Sequence, residues 1–472
     1  MFKDEETETK KPSHVEQLMK IAEIEYEIIP TTEGDYLAYP RMGNKVAIGI
    51  EGTSGLVRQL QKRYLELTKK FVNTKTVEDA VGILKCGIDM SYKREVHLRH
   101  ATIGDSIYID IGDATGEVFA LEDGVFAVQT EAPCLFRRNA DISEPLPRPI
   151  HGRSIDTLFA YYGIPEEFWS RLKGFLIASL DESITVPILA LDGEQGTGKT
   201  TLARILGKLI DPPATPQSPP RNSDAWIDKA SRSRLIILDN VSSIQTWFSD
   251  SLCTTITGIG ERRRKLFTDR ESISFNMKKV VILNGIDVSI KRNDLADRLL
   301  LIQLPVIPDE ERKSDKDLDS FWKEIYPEAI ASLLDLAARV HANVKNVELA
   351  RLPRMADFAK VLKALDEIEG TNSLELYLEG IGSLAATTVE SDEFLVAITK
   401  VVTKSMIVTG SELLDLLHGH KPLDKESSWP ANAREVSQRL SLTAPALRRL
   451  GFQVEDLGNK NKTNTKKWRI SP

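Results

Sequence analysis

The chain has 472 residues, a net charge of −7, and 41% hydrophobic and 28% charged residues. No apolar run reaches the roughly 18 residues of a membrane span, and the opening MFKDEETETKK is charged where a secretion signal would be apolar. These features exclude a membrane partner and predict a cytoplasmic globular protein. The length suggests several domains.

Charge is unevenly divided. Residues 401–472 hold 12 Lys and Arg against 7 Asp and Glu, a balance of +5 that leaves −12 for the rest of the chain. A basic end on an acidic body suits a polyanionic partner. Cys86, Cys134 and Cys253 are scattered without metal-ligand spacing and read as reduced thiols.

Helical spacing covers 13–27, 53–72 and 76–86, the last with Thr76 as the expected N-cap. From 95 to 138 the period falls to two, predicting a small β module. His97 and His100 lie close together there without a third ligand and read as packing or surface histidines. The stretch EPLPRP (144–149) marks a boundary, and two helices, 153–162 and 165–180, follow.

Next comes PILALDGEQGTGKT (187–200), which fits G-x-x-x-x-G-K-[ST] at Gly193, Gly198, Lys199 and Thr200. A triphosphate needs inward-pointing backbone N–H groups on a tightly curled chain, which glycines permit. The predicted cradle is Gly193, Glu194, Gln195, Gly196, Thr197, Gly198, Lys199, Thr200 and Thr201. Lys199 would reach the β- and γ-phosphates of ATP, Thr200 would ligate Mg²⁺, and a helix over 200–209 would point its positive end at the anion.

The proline-rich 211–220 reads as a surface loop. RLIILDN (234–240) is a buried strand delivering Asp239, a second Mg²⁺ ligand, to the sheet edge where ligands bind. KKVVILNGID (278–287) delivers Asn284 to the same edge, and 292–305 is a short helix carrying Arg298 followed by a fourth strand. Helices then occupy 317–342, 354–368, 373–387 and 391–403. At the end, 411–418 is a helix, and 434–440 with 443–450 form a helix–turn–helix pair. Two strands follow, with the loop GNKNKTNT between them. Arg448 and Arg449 on the second helix of the pair, with Lys460 and Lys462 in the loop, are the expected contacts to duplex DNA.

GEQGTGKT, LIILDN, VVILNG and DLADRLL, in this order and spacing, resemble the AAA+ class, and within it the superfamily 3-type replicative helicases and replication initiators of phages and mobile genetic islands. The resemblance covers roughly 150–310 and, more weakly, the C-terminal end. The residue pattern itself gives an N-terminal α+β module at 1–150, a helical lid at 311–403 and a winged helix at 404–472; between them the resemblance implies an α/β P-loop NTPase core of AAA+ type at 151–310. It implies that Asn284 positions the attacking water and that Arg298 acts on ATP held by a neighbouring subunit of a homo-oligomeric ring, a hexamer.

It also implies that the hairpin read in 260–279 grips single-stranded DNA with Arg263, Arg264, Lys265, Arg270, Lys278 and Lys279. The plainer alternative is a basic edge hairpin that resists aggregation. Origin duplex DNA and a primase or polymerase are further implied partners. Asn240 departs from the pattern, since glutamate usually follows the acid. An amide orients water but takes no proton at neutral pH, which leaves the base unassigned. Two alternatives keep the fold: a helicase loader, and a nucleotide-switched DNA-binding regulator without unwinding activity.

Overall fold

A computed structural model describes residues 12–43, 45–52, 54–138, 144–258, 261–264, 272–275, 278–285, 293–421, 429–458 and 466–472. The N-terminal part opens with α1 (His14–Glu25), where Ser13 and Glu16 form a capping box. A three-stranded antiparallel sheet follows, β1 (Tyr26–Pro30), β2 (Tyr36–Pro40) and β3 (Ile48–Gly49), then α2 (Leu56–Thr68) and α3 (Thr74–Cys86). Leu18, Leu56, Leu60, Tyr64 and Val77 close this core. The N-cap of α3 is Asn73 and not Thr76: the Asn73 Oδ1 accepts from the Thr76 N–H at 2.8 Å.

The β module comprises β4 (Val96–His97), β5 (His100–Ile103), β6 (Ser106–Asp110), β7 (Val118–Glu122), β8 (Val125–Gln129) and β9 (Leu135–Phe136). β5 to β8 form an antiparallel meander, and β4 pairs with β9. Asp123 (φ 48°) and Gly124 (φ 83°) make the two-residue β7–β8 turn, whose left-handed backbone matches strand twist.

The central layer contains α4 (Ile155–Tyr161), α5 (Trp169–Leu180), β10 (Ile188–Asp192), α6 (Lys199–Ile210), α7 (Ser223–Arg232), β11 (Leu235–Leu238), α8 (Thr246–Thr257), β12 (Glu261–Arg264), β13 (Ser272–Phe275), β14 (Val280–Asn284), α9 (Asn293–Ala296) and β15 (Leu299–Gln303). The sheet order is β11-β14-β10-β15, all parallel. Its strands are near-continuous apolar runs because both faces are covered. Gln217, in the proline-rich loop, pairs with β11 through Gln217 N–H to Ile237 O and Asp239 N–H to Gln217 O, both 2.9 Å, and so covers that edge.

α10 (Asp315–Val344), α11 (Ala356–Glu369) and α12 (Ser373–Ser391) continue the same hydrophobic core as the sheet and α5. α13 (Glu393–Val401) instead buries Phe394, Leu395 and Ile398 in the core of the C-terminal module. That module adds β16 (Met406–Thr409), α14 (Gly410–Leu417), α15 (Ala433–Arg449), β17 (Gln453–Gly458) and β18 (Lys467–Ser471), with strand order β16-β18-β17.

Buried polar contacts fasten the β module to the central layer. Arg99 is fully buried and spends all five N–H donors: on Asp211 Oδ1 at 2.9 Å and on the carbonyls of Asp110, Ile111, Glu144 and Pro212. Burial pushes the Asp211 carboxyl up, and Arg99 opposes that shift. His97 and His100 are both buried. His97 Nδ1 lies 2.6 Å from Glu182, while burial drives His100 well below its ordinary value and keeps it neutral.

His341 of α10 joins three parts of the chain: its Nδ1 is 3.3 Å from Asp181 Oδ2, and its Nε2 is 3.0 Å from Asp105 O. Burial opposes ionisation of Asp181, but hydrogen bonds from His341, Ser183 and Thr102 outweigh it and hold that carboxyl at about 2. The Asp181 hydrogen bond in turn raises His341 above its ordinary value, against burial. A raised histidine stabilises the fold fully below its unfolded value of roughly 6.5, and the contribution is lost as pH rises through the folded value. His341→Gln should therefore lower Tm more at pH 6 than at pH 8.5, a range in which Asp181 stays ionised. Equal losses at both pH values in thermal melts would show that His341 acts by packing alone.

Candidate functional site

β10 ends at Asp192, and the chain curls through Gly193 (φ 143°) and Gly196 (φ 86°) into α6. Close approach forces glycine at Gly193, where a Cβ would meet Leu304 O at 2.6 Å. The first N–H groups of α6, from Lys199, Thr200 and Thr201, have no partner within the helix and face the loop with the positive end of the helix dipole. Lys199 Nζ bends back over the loop, donating to Gly193 O and Glu194 O at 2.6 Å and to Thr197 Oγ1 at 3.2 Å. Burial lowers its pKa, with Asp192 and Asp239 pulling the other way.

The sheet order brings the remaining groups together. β14 lies between β10 and β11, with Asn284 in register with Leu191. Buried Asn284 donates its Nδ2 to Thr200 Oγ1 at 2.8 Å and to Asp239 Oδ1 at 2.6 Å. Thr200 Oγ1 is 3.3 Å from both Asp239 oxygens. Asn240 is exposed in a left-handed conformation (φ 57°), which asparagine tolerates, and its N–H donates to Asp239 Oδ1 at 3.0 Å. Lys199, Thr200, Asp239 and Asn284 thus meet at the carboxyl edge of the parallel sheet, where open α/β sheets bind ligands.

Arg298 lies at the opposite edge. Its carbonyl accepts the Ile188 N–H where β10 begins. Its guanidinium pairs with Asp294 at 2.7 Å, with the side chain 12% exposed. It therefore stands a strand's length from the loop of its own chain. Arg354 also pairs with Asp294, at 2.8 Å.

The nucleic-acid candidates separate. β12 and β13 pair antiparallel, which sets the backbone of Arg263 and Arg264 in a hairpin. Lys265 and Arg270 lie outside the described residues, as do Lys460 and Lys462. Lys278 and Lys279 do not belong to an outward basic face. Lys278 Nζ donates to Ser183 O, and Lys279 is buried, its pKa pulled down to about 8 by burial and by Arg234. Both sit where the chain enters β14, beside the segment that follows α5, so these two lysines face inward contacts.

The expected helix–turn–helix at 434–450 is one continuous helix, α15, with Pro445 inside it. Leu440, Ala444 and Leu447 stay on the buried face across the proline, and this packing keeps the helix intact. Arg448 is exposed, but its guanidinium is engaged: its Nε and NH2 donate to Val454 O at 3.0 and 2.6 Å and tie α15 to β17. Arg449 ends the helix. The exposed face also presents Arg434, Gln438, Ser441 and Leu442. Spacing along an unbroken helix from Ala433 places the first two opposite the apolar stripe.

The fold and the edge cluster define a mixed α/β protein with a glycine-rich turn at the carboxyl edge of its parallel sheet and a separate C-terminal α/β module. Residues 167–386 match the family model of the actinomycete integrative conjugative element replication protein, and residues 394–472 match that of the RepA C-terminal domain of the same elements. These two stretches are thus similar to replication-protein families of such elements. No curated protein matches it. Among solved structures, the apo C-terminal region of NrS-1 is 13% identical with a TM-score of 0.43, over 98% of this chain and 100% of that chain. The JCV helicase is 13% identical with a TM-score of 0.26, over 48% of this chain and 65% of that chain. At these TM-scores neither likeness carries an argument.

Arg448→Ala should lower the melting temperature of the C-terminal module while leaving sequence preference for duplex DNA unchanged. A relaxed preference with an unchanged melt would return Arg448 to the DNA-contacting set.

Proposed function

We propose that the chain is an ATP-driven replication initiator that moves on single-stranded DNA as a homo-oligomeric ring, most simply a hexamer, and unwinds duplex DNA. The observation that carries this is the meeting of Lys199, Thr200, Asp239 and Asn284 at one sheet edge beside the 193–198 turn. The replication-protein matches support the initiator role. The core is read as a P-loop AAA+ domain of superfamily 3 type. The α–β–α–α–β–β order from α13 onward supports a winged helix that recognises origin duplex.

The donor set fits Mg²⁺. The Thr200 hydroxyl and the Asp239 carboxylate are hard oxygen ligands 3.3 Å apart, and no group of three or more His, Cys, Asp or Glu among the described residues could hold a metal. This suits an ion that takes one or two protein oxygens and completes its shell with phosphates and water. Thr200 and Asp239 would hold the ion, which would supply positive charge against that developing on the phosphates. Lys199 exchanges its loop carbonyls for phosphate oxygens. Asn284 holds Thr200 and Asp239 in place and orients water at the γ-phosphate. Asn240 supplies no base, so the proton goes to Asp239, already placed at this edge, or to another carboxylate that approaches it.

Asn240 also favours a second reading, a nucleotide-switched DNA-binding regulator or helicase loader with slow turnover. In either case Arg263, Arg264, Lys265 and Arg270 of the hairpin are the proposed grip on single-stranded DNA, with Lys460 and Lys462 on duplex phosphates. A primase or polymerase is the proposed further partner.

Lys199→Ala should abolish ATP turnover by the purified protein, and turnover at the unmutated rate would remove the site from the 193–200 turn. Arg298→Ala should bind ATP normally and hydrolyse it roughly 10³-fold more slowly, the order expected for an arginine finger. Mixed with Lys199→Ala protein it should regain activity, because each variant keeps the half-site the other lost. Absence of any rescue in mixtures that exchange subunits would count against a shared site.

A further inference from the structure

We propose that Arg312 is a phosphate contact of the nucleotide site, supplied by its own chain; this rests on the nucleotide-binding reading above. The chain leaving β15 follows the phosphate turn closely. Leu304 N–H donates to Asp192 O at 2.9 Å, directly before the turn. A Cβ built on Gly193 would meet Leu304 O at 2.6 Å, one on Gly198 would meet Ile307 Cδ1 at 3.2 Å, and one on Gly196 would meet the Arg312 NH2 group at 2.9 Å. Residues 304–312 therefore form one wall of the turn: Pro305 and Pro308 favour an extended path, and a short 3-10 turn, Asp309–Glu311, then brings in Arg312.

The guanidinium that this wall delivers is lightly held. Its ion pair is with Asp309 Oδ1 at 3.0 Å, and the two side chains are 48% and 93% exposed. A surface pair of this kind contributes little and is readily exchanged. A planar guanidinium is well suited to phosphate, which it grips through two parallel N–H bonds. Arg312 also approaches from the side of Gly196, whereas Lys199 covers the carbonyls of Gly193 and Glu194. The two cations therefore flank the turn at different places and do not duplicate one another.

The test is titration of the full chain with the slowly hydrolysed analogue ATPγS in the presence of Mg²⁺, alongside thermal melts without nucleotide. Arg312→Ala should weaken binding about 10- to 100-fold, the worth of a charge-assisted hydrogen bond, with an unchanged melt. Arg312→Lys should recover part of the affinity. Asp309→Ala, which breaks the surface pair but keeps the guanidinium, should bind as tightly as the unmutated chain or tighter. Arg312→Ala binding within about twofold of the unmutated chain overturns the proposal, and so does an equal loss in Asp309→Ala, which would make the pair a mere strap. If the unmutated chain binds no ATPγS, or Lys199→Ala binds it equally well, the nucleotide reading itself fails and this inference fails with it.

Discussion

The amide of Asn284 bridges the Thr200 hydroxyl and the Asp239 carboxylate, and the geometry of the site depends on that bridge. It exists because β14 is inserted between β10 and β11, although β14 comes after both in the chain. Parallel pairing on both sides fixes the three strand ends to within a fraction of a residue. Without β14, the strand that leads to Asp239 (β11) and the strand that leads through the turn to Thr200 (β10) would not touch. An amide suits this place better than a carboxylate would. It donates to both neighbours, whereas a second acid 2.6 Å from Asp239 would repel it.

That edge needs a rigid sheet behind it, and rigidity comes from the layers on either side. α10, α11 and α12 share one hydrophobic core with α5 and the strands. The β module adds buried charge, with Arg99 on Asp211 and with Thr102 and His341 on Asp181. Such pairs add little net stability over apolar residues of the same shape, but removing one partner strands the other charge in the interior. They therefore specify how the β module sits on the central layer. α13 lies on the other side of a boundary: its apolar residues belong to the C-terminal core, and the two family matches divide between 386 and 394.

Much of this was legible in the residues because parallel strands buried on both faces read as unbroken apolar runs. ILALD, LIIL and VVILN by themselves place Asp239 and Asn284 at one edge. The two-residue period of 95–138 likewise announced the β module. Features set by tertiary packing were not legible. The sequence reads as a turn between 440 and 443, but the apolar stripe of α15 carries one helix through that point and past Pro445. Lys278 and Lys279 read as part of a basic face, yet their partners, Ser183 O and the buried carboxylates around Arg234, lie far off in sequence. β1 and β2 are five residues each, end in proline and lack a long alternating pattern, so nothing local marked them as strands. For Arg448, type and position suggested DNA, whereas its partner is the carbonyl of Val454, six residues on.

The central claim is that hydrolysis at this edge drives strand separation. It is tested most directly by a forked-duplex unwinding assay on the full chain with Mg²⁺, comparing ATP with no nucleotide, and with particle symmetry read in parallel by electron microscopy. The account predicts strand separation only with ATP, by closed rings. ATP turnover without strand separation, by particles that form no ring, would contradict it and leave the loader or switch reading standing.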